Sequence, residues 1–179
     1  WELIIVGLLC VLFAFLYTTG PYPLSYNGWG DILVIVFFGF VPVGGTYYVQ
    51  ALTWTTDTTI ASLICGLLID TLLVVNNYRD READARRGKR TVIVRFGEKF
   101  GSYLYLMLGM TASLLCFWFL FEGHLYAALL PLLYLIPHFL TWKRMVRIHS
   151  GKKLNSILGE TSRNMLLMGI LLSIGFFLN

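Results

Sequence analysis

The sequence is poor in charged residues, cysteine and histidine, and each shortage limits what the protein can be. Only 13% of its 179 residues are charged, whereas 57% are hydrophobic. A soluble domain of this composition would expose more apolar surface than one core could bury, so a membrane protein is predicted. The three cysteines occur singly, and their odd number speaks against a redox or metal-binding role. The histidines share no metal-ligand spacing, so no catalytic role is predicted for His124, His138 or His149.

Long apolar runs occupy most of the chain. A helix needs about 20 apolar residues to span the hydrocarbon core. Six stretches approach that length, the first and last being short: Leu3 to Tyr17, Ile32 to Gln50, Thr58 to Val75, Tyr103 to Phe121, Leu125 to Trp142 and Met165 to Leu178. We therefore predict an all-α, polytopic transmembrane helix bundle, with residues 1–179 as a single domain. Because the chain begins inside an apolar run and not with Met, we expect an N-terminal part to be missing.

The basic residues predict the orientation of this bundle. All fourteen Lys and Arg residues fall in two segments, Arg79 to Lys99 and Lys143 to Arg163. Cytoplasmic loops collect basic residues, so both segments are expected in the cytoplasm. The two predicted spans between them return the chain to the same side. Counting backwards also places the loop from Tyr17 to Asp31 on the cytoplasmic side.

Two of the predicted spans contain residues that disturb a helix. Proline removes a backbone hydrogen bond, and glycine permits bending, so kinks are expected. The residues concerned are Pro42, Gly44 and Gly45 in the second span, and Pro131 and Pro137 in the fifth.

Asp70 is the one ionisable residue well within a predicted span. A charged side chain there costs several kcal/mol unless it is paired or faces water. It lies seven positions before Asn77 and therefore on the same helix face. The sequence leaves two interpretations open: Asp70 lines a cavity, or it is a neutral carboxyl satisfied by a neighbouring hydroxyl.

The most informative segment is a predicted cytoplasmic loop from Asn76 to Lys99. If the preceding helix runs on, Asp80 and Asp84 share one face, about 5 to 6 Å apart at Cβ, where like charges repel. Anions near a helix C-terminus are also disfavoured. A magnesium ion relieves both effects, since Mg²⁺ is held by one or two carboxylates together with waters and phosphate oxygens. We therefore predict that Asp80 and Asp84 are catalytic magnesium ligands.

The neighbouring basic side chains fit a diphosphate. Arginine binds phosphate oxygens through bidentate hydrogen bonds, and lysine acts as a point charge. The basic residues predicted to bind the diphosphate are Arg79, Arg86, Lys89 and Arg90. Charge alone leaves open a solvated juxtamembrane loop that fixes topology and binds anionic lipid.

The exact spacing is more specific. Asn77-x-x-Asp80-x-x-x-Asp84-x-x-x-Gly88-Lys89-Arg90-Thr91 resembles the second aspartate-rich motif of the UbiA superfamily of intramembrane prenyltransferases. Five further segments look like the branch that prenylates 1,4-dihydroxy-2-naphthoate: Thr19-Gly20-Pro21-x-Pro23, Tyr26-x-Gly28-x-Gly30, Phe37-Phe38-Gly39, Gly45-Thr46-Tyr47-Tyr48-x-Gln50 and Leu154-Asn155. Together these pieces span most of the chain.

The resemblance implies a fold and an activity. Family members have nine transmembrane helices and two aspartate-rich motifs, so the six spans here correspond to helices four to nine. The first motif is absent, and this chain is expected to hold half of the metal site and to be inactive alone. The implied reaction is Mg²⁺-dependent transfer of a polyprenyl group from its diphosphate to 1,4-dihydroxy-2-naphthoate, giving demethylmenaquinone. The resemblance also implies that Asn76 and Asn77 bind at the diphosphate, where they orient it or a metal-bound water from the helix end. The implied location is the bacterial inner membrane, with membrane lipid as a partner, no nucleic acid and the active-site loops in the cytoplasm.

The aromatic acceptor is not specified by the aspartate motif. Tyr22, Tyr26 and Trp29 are candidates to stack on the acceptor ring, although such residues are also interfacial anchors. Another acceptor, 4-hydroxybenzoate or homogentisate, stays open because the aspartate motif does not select the ring. The alternative from another class is a fragment of a membrane transporter, which predicts ionisable groups distributed along the spans. Only Asp70 fits that pattern.

Overall fold

The computed structural model describes residues 1–178, which form helices and, within that range, no strand. Five of the helices are long and apolar enough to cross a membrane, and α1 is a shorter apolar helix. The helices are α1 (Glu2–Thr18), α2 (Gly30–Ala51), α3 (Thr56–Arg86), α4 (Val92–Phe96), α5 (Glu98–Phe121), α6 (Leu125–Ile148) and α7 (Asn155–Phe177). The prediction of an all-α membrane bundle is confirmed.

The largest differences from the predicted boundaries concern polar residues. The last helix begins at Asn155, ten positions before the predicted start at Met165, because Ile157 and Thr161 are buried in the bundle. The prediction that Asn76 to Lys99 form a charged loop is also wrong in part. This segment remains helical to Arg86, since Arg, Glu and Ala are good helix formers, and helix resumes at Val92.

Two of the predicted helix distortions are present, at Pro42 and Pro131, whereas Pro137 lies in a regular α-helical part of α6. Residues Ile35–Gly44 of α2 form a wider π-helical segment that contains Pro42. Residues Leu130–Tyr134 of α6 form a tighter 3₁₀ segment that contains Pro131. Each proline removes one donor from the backbone ladder, and the local change of helix type accommodates that loss.

Helix α3 lies at the centre of the bundle, and its residues Val74, Val75 and Tyr78 are fully buried. It packs very closely on α2 through two glycines. A Cβ atom at Gly39 would lie 2.5 Å from the carbonyl oxygen of Ser62, and one at Gly66 would lie 2.8 Å from that of Ile35. Small residues allow this backbone contact between membrane helices.

The cysteines and the buried histidine have structural surroundings. Cys116 is buried, whereas Cys10 and Cys65 are only half-buried, and all three are free thiols. Cys10 is accessible because α1 buries none of its residues. His138 is buried, stacks on Tyr105 with ring centroids 4.6 Å apart, and hydrogen-bonds the Tyr134 hydroxyl at 2.9 Å.

Candidate active site at the end of helix α3

The site begins with the way α3 ends. The backbone N–H of Lys89 donates to the carbonyl of Asp84 at 2.9 Å, and that of Gly88 donates to Ala85 at 3.1 Å. This pair of bonds is the Schellman motif, which requires a left-handed residue just past the helix. Gly88 has φ +74° and fills that position without a steric penalty. The reversal turns Lys89 back towards the helix.

The returning lysine meets the second aspartate. Lys89 Nζ lies 3.2 Å from Asp84 Oδ2. Asp84 is buried, with only 5% of its surface exposed. A buried carboxylate needs a positive partner, and Lys89 provides it. The glycine turn therefore holds one carboxylate and one ammonium group together at the helix end.

The first aspartate is held by the preceding arginine. Arg79 donates from Nε to Asp80 Oδ1 at 2.8 Å and from Nη2 to Asp80 Oδ2 at 2.6 Å. The same guanidinium donates to the side-chain oxygens of Asn76 at 2.7 Å and Asn155 at 2.9 Å. Because Asn155 belongs to α7, Arg79 ties the end of α3 to the beginning of α7.

A second network fixes the same end of the bundle. Glu98, at the start of α5, accepts hydrogen bonds from the Tyr78 hydroxyl at 2.7 Å and from Arg81 at 3.1 Å. His149 Nδ1 lies 2.5 Å from the same carboxylate. Helices α3 and α5 and the turn after α6 are thereby joined beside the aspartates, so the end of α3 has a defined position.

The donor set fits part of a magnesium site. Asp80 and Asp84 lie one helical turn apart, and both offer carboxylate oxygens, the ligands that Mg²⁺ prefers. Asp80 is the more accessible, with a side-chain exposure of 38%. Across residues 1–178, no group of three or more His, Cys, Asp and Glu side chains could hold a metal. This stretch thus supplies two carboxylates beside two cations.

The structure separates some of the predicted diphosphate contacts. Asn77 is buried on the face of Asp84, seven positions away, and lines a pocket with Lys89. Arg86 is exposed and lies nine positions from Asn77, which places it on the opposite face of α3. Arg90 is also exposed, and its backbone N–H, not its side chain, contacts the loop between α1 and α2, which we call the first loop.

Sequence reasoning overlooked Arg87. It lies close enough to Asp80 for their charges to interact. Its position, seven residues after Asp80 and three after Asp84, follows helical periodicity. Arg87 is the C-cap of α3, so extending the helix through its cap would have found this residue.

The loop that carries the predicted acceptor residues rests on the aspartate segment. The Arg90 N–H donates to the carbonyl of Tyr26 at 2.7 Å, and Arg95 Nη2 donates to that of Asn27 at 2.7 Å. A Cβ atom at Gly28, where φ is +84°, would lie 3.0 Å from the carbonyl oxygen of Arg90. Tyr22, Tyr26 and Trp29 keep roughly half of their surface exposed.

Two cavities meet at Tyr17. A small polar pocket between the first loop and α3 is lined by Tyr17 with Ser25, Asp31, Asn77 and Lys89. Tyr17 also lines an apolar cavity of about 490 Å³ between α1 and α2, together with Cys10, Phe13, Ala14, Leu33, Val34, Phe37 and Phe38. An apolar chain in that cavity would have one end near the polar pocket.

Asp70 lies below this region on α3. Its side chain is 1% exposed, and its Oδ1 atom has no hydrogen-bond partner among the described residues. Asp31 is close enough to interact with it electrostatically. Asp70 and Asn77 therefore lie on the same buried face of α3, as the seven-residue spacing predicts.

The whole chain is similar to one family of known proteins. The model of the UbiA prenyltransferase family matches residues 1–177. The 1,4-dihydroxy-2-naphthoate octaprenyltransferase of Haemophilus influenzae is 34% identical over 182 residues, covering 97% of this chain and 56% of that protein. The protein of the same name from Escherichia coli is 33% identical, covering 98% of this chain and 58% of its own length.

A third relative matches a shorter part. The 1,4-dihydroxy-2-naphthoate octaprenyltransferase of Mycobacterium tuberculosis is 43% identical over 115 residues, covering 64% of this chain and 39% of that protein. The chain spans about half the length of the curated relatives it matches. No solved structure matches it at a significant level.

Proposed function

Because this chain belongs to the UbiA prenyltransferase family, we propose that the protein containing it transfers a polyprenyl group from its diphosphate to 1,4-dihydroxy-2-naphthoate. The product is demethylmenaquinone. The observation that carries the proposal is the end of α3, where Asp80 and Asp84 lie beside Arg79 and Lys89. The choice of acceptor is supported by the names of relatives at 33% to 43% identity.

The chain's own residues have distinct roles in this reaction. Asp80 and Asp84 would hold Mg²⁺, which when bound neutralises charge that develops on the diphosphate. Arg79 and Lys89 bind phosphate oxygens and hold the diphosphate at the helix end. The allylic C–O bond breaks, the diphosphate leaves with the electron pair, and the ring carbon that carries the carboxylate bonds to the prenyl carbon as CO₂ departs.

The remaining parts of the substrates fit neighbouring surfaces. The apolar cavity at Tyr17 suits a prenyl chain whose diphosphate lies near Asn77 and Lys89. The half-exposed rings of Tyr26 and Trp29 lie in the loop that rests on the aspartate segment, where they suit an aromatic acceptor. The active site faces the cytoplasm from the bacterial inner membrane, as the basic segments at this end indicate.

The test uses membranes that contain the complete protein, a labelled polyprenyl diphosphate, Mg²⁺ and one acceptor at a time. The proposal predicts a prenylated, decarboxylated product with 1,4-dihydroxy-2-naphthoate, and none with 4-hydroxybenzoate or homogentisate. Asp80→Asn should abolish that product, which ties the activity to this protein. Transfer only to another phenolic acid would overturn the choice of 1,4-dihydroxy-2-naphthoate as the acceptor. No transfer to any acceptor would overturn the proposal of prenyltransferase activity.

A further inference from the structure

A second polar groove lies between α6 and α7, and α3 contributes none of its lining residues. Its volume is about 590 Å³. Four basic side chains and one carboxylate line it: Lys143, Arg144, Arg147, Arg163 and Glu160. We call it the α6–α7 groove. Nothing in the proposed prenyl transfer uses these residues.

The single carboxylate of the groove is already engaged. Glu160 is buried, and its Oε1 lies 2.7 Å from Arg144 Nη1. Its Oε2 accepts a hydrogen bond from the Thr141 hydroxyl at 3.4 Å, and Thr141 accepts one from Asn164 Nδ2 at 3.0 Å. Both oxygens of Glu160 therefore have partners. The resulting network of polar side chains forms the floor of the groove between the two helices.

The groove has a surplus of positive charge. Four cations face one carboxylate, which leaves three positive charges without an acidic partner. Within residues 1–178, no carboxylate lies within 4.0 Å of Lys143, Arg147 or Arg163. Arg144 is 56% exposed at its side chain and uses one of its five N–H donors on Glu160. An anion is the ligand that this arrangement favours.

The groove also has an apolar side. Pro137, Leu140 and Leu167 line it together with the basic residues. Leu140 is 55% exposed and Leu167 is 36% exposed, on helices long and apolar enough to cross a membrane. A soluble anion makes no use of such a wall, whereas an acyl chain does. The ligand therefore combines a phosphate with a hydrocarbon chain.

We propose that the α6–α7 groove binds an anionic phospholipid, with its head-group phosphate on Arg144, Arg147 and Arg163 and an acyl chain along Leu140 and Leu167. Basic pockets between transmembrane helices bind such head groups. The groove lies at the end of the bundle that holds the aspartates, because Asn155 at the start of α7 contacts Arg79. A lipid there stabilises the packing of α7 without entering the site.

The test compares two double variants of the complete protein, purified in detergent. Arg147→Gln with Arg163→Gln removes two groove charges and leaves the Arg144–Glu160 pair intact. Lys152→Gln with Lys153→Gln removes two charges from an exposed turn outside the groove. Binding of phosphatidylglycerol and of phosphatidylcholine with the same acyl chains is measured by native mass spectrometry.

We expect preferential retention of phosphatidylglycerol by the wild type. Each basic side chain near an anionic surface contributes a factor of about five, so the groove variant, which lacks two, should bind phosphatidylglycerol roughly twenty-five-fold more weakly. The turn variant should stay within about two-fold of the wild type. Equal binding by the two variants, or equal retention of the two lipids, would overturn the proposal.

Two further arms identify the source of the phosphate. Inorganic phosphate at saturating concentration should leave the phosphatidylglycerol bound, because it lacks an acyl chain. A polyprenyl diphosphate should also leave it bound, because that substrate is placed at α3. Displacement by either compound would overturn the lipid site in favour of a phosphate site or a substrate site.

Discussion

Arg79 and Arg86 belong to one motif, but the structure gives them different surroundings. Arg79 holds Asp80 with two hydrogen bonds and also contacts Asn155. Arg86 lies two turns further along α3, is exposed, and pairs with no carboxylate among the described residues. We predict that Arg79→Lys raises the KM for the prenyl diphosphate about tenfold or more, because lysine cannot reproduce the bidentate bonds. Steady-state kinetics of the complete protein measure this.

Arg86→Lys provides the matched control for that prediction. It should leave the KM within about two-fold of the wild type, since its exposed charge is preserved. If Arg86→Lys impaired diphosphate binding as much as Arg79→Lys, the contacts of Arg79 at the end of α3 would not explain that binding. The comparison therefore tests those contacts.

The residue types of the site could be read from the sequence, but their pairing could not. The four-residue spacing of Asp80 and Asp84 is visible directly. The contact of Lys89 with Asp84 depends on the Gly88 turn, and the contact of Arg79 with Asn155 joins residues 76 positions apart. Such a pairing depends on tertiary packing, which the local spacing of residues in the sequence does not reveal. Arg87 was overlooked because the helix was expected to end earlier.

The turn that ends α3 gives a prediction about stability. Gly88 has φ +74°, and a Cβ atom there would meet nothing within 4 Å. Gly88→Ala should therefore cost about 1 to 2 kcal/mol through backbone conformation alone. It should also weaken the Lys89–Asp84 pair and reduce prenyl transfer. The midpoint of thermal unfolding in detergent measures the first effect.

Gly159→Ala is the control for this glycine. Gly159 lies within α7, its φ is not positive, and a Cβ atom there also meets nothing within 4 Å. Alanine should stabilise that helix by up to about 1 kcal/mol. Destabilisation by both substitutions would show that the effect at Gly88 is not caused by its left-handed backbone.

The contact of α2 with α3 gives a second test between elements. Gly39→Ala places a methyl group 2.5 Å from the Ser62 carbonyl oxygen, so the two helices must move apart. The expected cost is about 1 to 3 kcal/mol, measured as a lower unfolding midpoint. Gly45→Ala, in the same helix with open space around it, should have little effect. A similar loss for both would contradict the close packing of α2 on α3.

Helix identity was more predictable than helix ends. Apolar runs mark the part of each helix that faces hydrocarbon, which is why all six were located. The polar extensions of α3 beyond Val75 and of α7 before Met165 are stabilised by contacts within the protein. Hydropathy does not report those contacts. The distortions at Pro42 and Pro131 were predictable because they follow from a missing backbone donor.

The arrangement of the bundle in the membrane can be tested by labelling. The ends of α3 and α6 and the starts of α5 and α7 meet in one set of contacts. In complete protein with its own cysteines replaced, Lys153→Cys should react with an impermeant maleimide only from the cytoplasmic side. Glu122→Cys, in the turn between α5 and α6, should react only from the opposite side. Reaction of both from one side would contradict this topology.

The central claim is that the end of α3 forms part of a magnesium–diphosphate site. The most direct measurement is the Mg²⁺ dependence of prenyl transfer by the complete protein carrying Asp84→Asn or Glu82→Gln. Each substitution removes one carboxylate from the same helix, but Glu82 is exposed and lies two positions from Asp84, off its face. We predict that Asp84→Asn lowers the rate of Mg²⁺-dependent prenyl transfer about 100-fold or more. Glu82→Gln should keep a nearly wild-type dependence of that rate on Mg²⁺ concentration. Equal Mg²⁺ responses of the two variants would contradict the assignment.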